Sequence, residues 1–481
     1  MATFFIENFG CRATDADAVA LRRGMLGKGL QPCADAAEAD FVVLNTCTVT
    51  AAADCQAREA VRKIYRKNRA AKIIVTGCYA QRAPEEIAAI EGVSIVIGNA
   101  RQQEIPGLVG PLLSLPRAGV RCGDASPSDF FPLSELEQGP MSLSRGPATI
   151  LTGDIFEQTT VQLAPATLMA GDRTRPILKV QDGCNNRCAY CVIPFVRGRS
   201  RSLPPDAVVD EVLGLVAAGA KEIVVSGINL GSYGRDLSPR AQLGAVVRRI
   251  LDETTIEHLR FSSIEPQDVT EDFVSLVASS DRLAAHFHVP LQSGCDRILR
   301  AMHRWYRTEL YAERVGVIRR LLPHAAIGAD VIVGFPGETE DDFRATVECI
   351  ERLPCTYLHV FSFSARPGTR AEKLGASVPP QIIRERAREL RALSAKKSNT
   401  FRASQVGRLL RALTLARSAD TWTEALTTNY LKVRVAGRPP ANEWRAVVVV
   451  EGADQICAEP IGSGSVLENH LGDREIAAVG D

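Results

Sequence analysis

Short apolar runs alternate with amphipathic, helix-length stretches through the first quarter of the chain. Phe4–Ile6, Phe41–Leu44, Ile73–Val75 and Ile95–Ile97 are predicted strands, and each intervening segment is long enough for a helix. Strand–helix–strand order predicts a parallel sheet, because a parallel return needs a crossover. From Pro176 the alternation resumes, with predicted strands near 177–181, 222–226, 258–262, 286–290, 327–333 and 356–361, each followed by a helical segment. Six such units fit a partial barrel open on one side and are two short of a closed one. Pro204 and Pro205 start a helix over 206–218, and Thr339 caps another over 340–352. Between the two blocks, residues 123–172 lose their periodicity, and from Asp124 to Asp172 the only basic residue is Arg145. That stretch reads as an exposed insertion or linker.

A last helix over about 381–400 leads into LLRALTLA, ALTTNYLKVRV, WRAVVVV and QICAEPI, which predict a small all-β unit ending near residue 463, followed by a mobile tail. The expected fold class is α/β: an N-terminal parallel α/β domain over 1–115, an insertion over 116–172, a partial (β/α)6 barrel over 173–400, a small β-barrel over 401–463 and a tail over 464–481.

Charge changes this picture only locally. The chain carries 57 Lys and Arg against 56 Asp and Glu, and 46% of its residues are hydrophobic, which excludes wholesale disorder and a general nucleic-acid-binding charge. Residues 381–420, however, gather ten Lys/Arg against three Asp/Glu. Arg402, Arg408, Arg411 and Arg417 in that stretch are predicted sequence-independent phosphate contacts. Trp422, Tyr430 and Trp444 either stack on bases or fill the small barrel, and packing is expected for at least two of them. No run approaches the ~18 apolar residues of a membrane span, and the first residues lack a signal-peptide pattern, so a soluble, cytoplasmic protein without a membrane partner is expected.

Three of the thirteen cysteines fall within eight residues: Cys184, Cys188 and Cys191, spaced CxxxCxxC directly after the strand PILKVQ. Three thiolates on one short loop can hold three irons of a four-iron cluster and leave the fourth open to another ligand. A zinc site is the alternative, but structural zinc sites normally close with paired motifs and the chain has no partner CxxC. Cys11, Cys47 and Cys78 each follow a predicted strand of the first sheet. Carboxyl ends of parallel strands share one edge, so these thiols either converge into a site or are three buried packing residues; placement alone does not choose. Cys33, Cys55, Cys122, Cys295, Cys349, Cys355 and Cys457 lack this relation and are expected to pack.

The cysteine loop, with Tyr190 before its last cysteine, resembles the radical S-adenosylmethionine superfamily, whose fold is a partial barrel with the cluster loop after its first strand. NTCTVT at 45–50, TGCYAQ at 76–81, the cluster loop, GFPGETE at 334–340 and the terminal β-unit together resemble the methylthiotransferase family, whose last domain is the TRAM barrel. The resemblance implies two 4Fe-4S clusters and S-adenosylmethionine: Cys184, Cys188 and Cys191 hold the cluster that cleaves the cofactor, and Cys11, Cys47 and Cys78 hold an auxiliary cluster that carries the sulfur. Thr14 departs from the family, which commonly has Asn after this cysteine, and puts a polar contact there in doubt.

Tyr190, Gly227, Asn229, Glu265 and Gln292, at the cluster loop and the ends of the second, third and fourth barrel strands, are cofactor-contact candidates, with helix caps and turns as the alternative. Arg197, Arg199 and Arg201, in VRGRSRS beside the loop, are candidate RNA contacts. VQDGCNNRCAYCVIPFVRGRSRS looks closest to the branch that methylthiolates C2 of threonylcarbamoyladenosine beside the tRNA anticodon; the isopentenyladenosine and ribosomal-aspartate branches are alternatives, as is, from another class, a non-catalytic iron–sulfur RNA-binding protein. The implied partners are a tRNA anticodon stem-loop and a flavodoxin- or ferredoxin-type electron donor, with the sulfur source open.

Overall fold

The computed structural model describes residues 1–113, 148–161, 174–451 and 457–460. Most of the 116–172 insertion, the 464–481 tail and Cys122 lie outside the described residues.

The N-terminal strands are nearly continuous runs of buried β-branched and aliphatic residues, as suits a sheet covered on both faces. They form a six-stranded parallel sheet in the order Gln31–Pro32, Thr3–Asn8, Phe41–Thr46, Lys72–Gly77, Val93–Gly98 and Thr149–Leu151. Four of these strands were legible from the apolar pattern. Thr149–Leu151 corrects the reading of 123–172 as a linker throughout: it pairs with Val93–Gly98 and buries Ile150 and Leu151. A three-residue strand is too short to show an alternation against its Pro- and Ser-rich surroundings.

The second domain has six parallel strands: Ile177–Asp182, Glu222–Gly227, His258–Phe261, His286–His288, Ala326–Val333 and Tyr357–Ser362. The first three and the last three pair as two sheets, joined by isolated bridges Leu259↔Leu283 and Ser263↔His288. The result is the expected partial barrel. Its packing helices include Pro205–Ala217, opened by a proline at its first turn, and Glu340–Arg352, opened by a capping box between Thr339 and Asp342. In GFPGETE, Gly334 N–H donates to Glu338, which pairs at 2.7 Å with Arg386 on the helix Pro380–Ala403, so the motif serves as a strand-to-helix turn.

The terminal unit is a closed barrel in the order Leu409–Ser418, Trp422–Thr427, Lys432–Ala436, Cys457–Pro460 and Trp444–Val450, with Ala412, Ala425, Val433, Val435, Val447 and Val449 inside. It docks on the strand starts of the larger barrel. Tyr430 stacks on His286 with ring centroids 4.0 Å apart and lies under Arg260, whose guanidinium donates to Thr427 O. Trp444 packs edge-on against His258. Both aromatics are thereby committed to the domain junction; Trp422 lies under Arg434 on the barrel wall. No helix among the described residues is long and apolar enough to cross a membrane.

Candidate active site

The loop that follows the first barrel strand is set by its backbone. Gly183 has φ 68°, and a Cβ there would come within 2.0 Å of Arg199 O, so the chain can reverse only with glycine. Cys184 N–H then donates to Gly198 O, Cys191 N–H to Cys188 O, and Ala189 N–H to Met302 O, tying the three thiols to the barrel. Burial pushes the Cys184 thiol up to about 11 and raises Cys191 further, and the neighbouring thiols add to both. Thiols so reluctant to ionise beside one another become thiolates together only with a cation among them, which bound iron supplies. Two N–H donors face this set: Arg304 Nη1 lies 3.2 Å from Cys188 Sγ and Asn229 Nδ2 lies 3.9 Å from Cys184 Sγ. Such donors tune a cluster's sulfurs.

The candidate cofactor residues ring the same loop. Gly227 N–H donates to Ser262, and Asn229 leaves its Oδ1 buried without a partner, an acceptor suited to an ammonium group. Glu265 is ion-paired with Arg304, and burial raises its carboxyl despite that guanidinium. Gln292, at φ 64°, is clamped by its N–H to Asp330 O and lines a cavity of about 200 Å³ with Tyr190 and Cys191. Sequence reasoning missed Arg304 and Gln181. Gln181 accepts from Asn229 N–H and donates to Asp182 O and Gly183 O, so one amide holds the cluster loop against the second strand. A glutamine at the end of the buried strand ILKVQD was the available signal.

The first domain presents its thiols from the carboxyl ends of three adjacent strands, with Cys11 exposed and Cys47 and Cys78 buried. They lie within electrostatic reach of one another: burial, then Cys78 and Cys11, pushes the Cys47 thiol up to about 12. Gly10 makes the convergence possible, since a Cβ at its φ of 122° would sit 2.7 Å from Cys47 Cβ. Thr14, which stands where the family commonly has Asn, donates from its hydroxyl to Cys11 O at 2.7 Å. Asn99 Nδ2 reaches Cys78 Sγ at 3.6 Å and Val196 O, just beyond the loop that carries Cys184, Cys188 and Cys191, at 2.8 Å.

Two ionic latches hold this edge over the barrel mouth. In one, Arg366 of the barrel and Arg82 of the first domain share Asp54. In the other, Arg197 bridges Asp17 of helix Arg12–Gly27 at 2.7 Å and Asp182 of the first barrel strand at 3.2 Å, with Lys179 touching both carboxylates. This overturns the RNA role expected of Arg197, which is 2% exposed and spent on two buried carboxylates. Arg201 is buried too, and bonds Arg197 O and Thr160 O. Arg199 is exposed. Of the terminal arginines, Arg402, Arg411 and Arg417 are exposed, Arg411 pairing with Glu257 at 3.4 Å and covering Trp444 and Arg417 pairing with Glu424 at 3.6 Å, and Arg408 is half-buried, where burial lowers its pKa. Cys349 and Cys355 are buried as expected, whereas Cys55 is exposed on its helix, contrary to the packing role.

The Arg197 latch makes a stability prediction. Arg197→Ala leaves the buried Asp17 with Lys179 alone and Asp182 with Lys179 and Arg201, and should cost roughly 3 kcal/mol, read as a lower urea midpoint, while Arg199→Gln should stay within about 0.5 kcal/mol. Burial pushes Asp182 up, but Lys179, Arg197 and Arg201 outweigh it and hold its carboxyl far below the usual range. The folded value lies below the unfolded one, so this stabilisation is complete above the unfolded carboxylate range near ~4 and disappears only as pH falls toward the folded value.

Comparison with known proteins agrees with this geometry. Residues 3–98 match the Uncharacterized protein family UPF0004, and residues 178–350 match the Radical SAM superfamily. The chain is 35% identical over 431 residues to the threonylcarbamoyladenosine tRNA methylthiotransferase MtaB of Aquifex aeolicus, covering 90% of this chain and 96% of that one. It is 33% identical to the tRNA-2-methylthio-N(6)-dimethylallyladenosine synthase of Syntrophobacter fumaroxidans, covering 81% and 80%. Among solved structures it aligns with the radical S-adenosylmethionine methyltransferase TsrM of Kitasatospora setae at 17% identity and TM-score 0.49, covering 77% and 74%. A cysteine loop shaped for an open-iron cluster, a barrel that positions it, and kinship along nine tenths of the chain place this protein in the radical S-adenosylmethionine methylthiotransferase family, whose chemistry uses S-adenosylmethionine and a 4Fe-4S cluster.

Proposed function

We propose that this enzyme is a cytoplasmic tRNA-modifying methylthiotransferase that acts on C2 of N6-threonylcarbamoyladenosine beside the anticodon, with two 4Fe-4S clusters held by Cys184, Cys188 and Cys191 and by Cys11, Cys47 and Cys78. The observation that carries this reading is the shared cavity. Val49 and Thr50, just beyond Cys47, line it together with Tyr190, Cys191 and Gln292. Cys191 of the barrel loop and the segment that follows Cys47 thus border one space, so a substrate held there lies between the barrel loop and the strand ends of the first domain.

A 4Fe-4S cluster on Cys184, Cys188 and Cys191 with S-adenosylmethionine would supply the radical chemistry that activates C2, a cluster on Cys11, Cys47 and Cys78 would supply the sulfur, and S-adenosylmethionine would also supply the methyl group. The chain's own part is orientation. Arg304 bridges Glu265 and Cys188, Gln181 fixes the loop against Asn229, and the two latches hold the first-domain thiols over the barrel. Arg199 and Arg402 remain exposed for phosphate, while Arg408, Arg411 and Arg417 are partly committed to protein. A ferredoxin- or flavodoxin-type protein would deliver the electron.

The threonylcarbamoyl branch is favoured because the Aquifex relative is matched over 96% of its length, against 80% for the dimethylallyl relative. The discriminating experiment offers the reconstituted enzyme anticodon stem-loops bearing either modification and reads nucleosides by mass spectrometry. Methylthiolated threonylcarbamoyladenosine is the expected product; product from the isopentenyl substrate alone would transfer the enzyme to the other branch.

A further inference from the structure

Three side chains that the cluster chemistry does not use come together on the last barrel strands. Ser263 bridges to His288, His288 sits opposite Gly328, and Asp330, two residues beyond Gly328 on the same strand, sits opposite His359. His288 Nε2 lies 3.0 Å and His359 Nδ1 3.3 Å from the same Asp330 Oδ1, and the donor atoms of all three residues fall within 4.8 Å of one another. Around a tetrahedral ion with bonds near ~2.0 Å, neighbouring ligand atoms stand about 3.3 Å apart; both histidines already stand close to that distance from Asp330.

His288 is also oriented from behind. Its Nδ1 lies 2.5 Å from Ser263 Oγ, which turns Nε2 toward Asp330, the arrangement by which metal-binding imidazoles are fixed. The His288 and Asp330 side chains are 11% and 19% exposed, whereas His359 is 53% exposed and free to close onto an ion. Asp330 also lines the cavity shared with Gln292, Tyr190 and Cys191, so positions left open on an ion would face that cavity.

We propose that His288, Asp330 and His359 form a mononuclear site for a divalent transition ion, separate from the six cluster cysteines, with water or a substrate oxygen completing its shell from the cavity. Two imidazoles and a carboxylate suit Zn²⁺, Fe²⁺ or Mn²⁺, not the harder Mg²⁺ or Ca²⁺.

The test uses the whole enzyme with its clusters assembled, stripped of loosely held metal by a chelator and dialysed against Zn²⁺. One zinc per chain above the iron is expected, and zinc-edge X-ray absorption should show nitrogen and oxygen neighbours at about 2.0–2.1 Å without the sulfur shell at about 2.3 Å that cysteine binding gives. Asp330→Asn and His359→Ala should each weaken zinc at least tenfold, and Ser263→Ala about tenfold, all with iron content unchanged. His359 is exposed, so its variant should fold normally. A holoenzyme that retains no zinc, a sulfur shell, or undiminished affinity in both ligand variants would overturn the site.

Discussion

Replacing Cys184, Cys188 and Cys191 together by Ala should abolish S-adenosylmethionine cleavage while leaving roughly half of the iron in place, because a four-iron cluster needs its three thiolates and this loop supplies them alone. The loop sits on the barrel, and its backbone is held by Gln181, Gly198 O and Met302 O rather than by the thiols, so the fold should survive. The other three cysteines lie on a different sheet and keep their neighbours Gly10, Asn99 and Thr14. Iron content, the reduced-cluster electron paramagnetic resonance signal and 5′-deoxyadenosine are the three readings. A triple variant without any iron would mean that Cys11, Cys47 and Cys78 do not bind a cluster by themselves.

The converse replacement should separate radical formation from sulfur insertion. With Cys11, Cys47 and Cys78 changed to Ala, 5′-deoxyadenosine formation should stay within about threefold of the parent, a barrier change under about 0.7 kcal/mol, while methylthio product falls to background. The structural ground is the latch: Arg197 faces Cys78 as well, but its ion pairs to Asp17 and Asp182 do not need that sulfur, so the cysteine loop keeps its seat. Methylthio product from this variant would end the sulfur-carrier role of the first-domain thiols.

The sequence by itself determined whatever depends on local order. CxxxCxxC announces its chemistry because its three ligands share one loop, and the alternation of apolar and amphipathic segments was enough to predict a parallel sheet and a six-unit partial barrel. Strand direction brings the carboxyl ends carrying Cys11, Cys47 and Cys78 to one edge but left open whether the thiols meet or pack, and only the family resemblance chose between the two.

Tertiary structure decided the roles that depend on distant partners. Arg197 sits in a run of arginines that reads as a solvated phosphate surface, yet its carboxylate partner Asp17 is 180 residues away, and only the packing of the first domain on the barrel buries the pair. Tyr430 and Trp444 could stack on bases or pack, with packing expected for at least two of the three aromatics, and only the docking of the small barrel sets them against His286 and His258. Thr149–Leu151 is a strand only because Val93–Gly98 offers it an open edge. His288, Asp330 and His359, spread over some seventy residues of chain, become neighbours through strand register, which fixes side-chain proximity across a sheet and leaves no local mark on the chain.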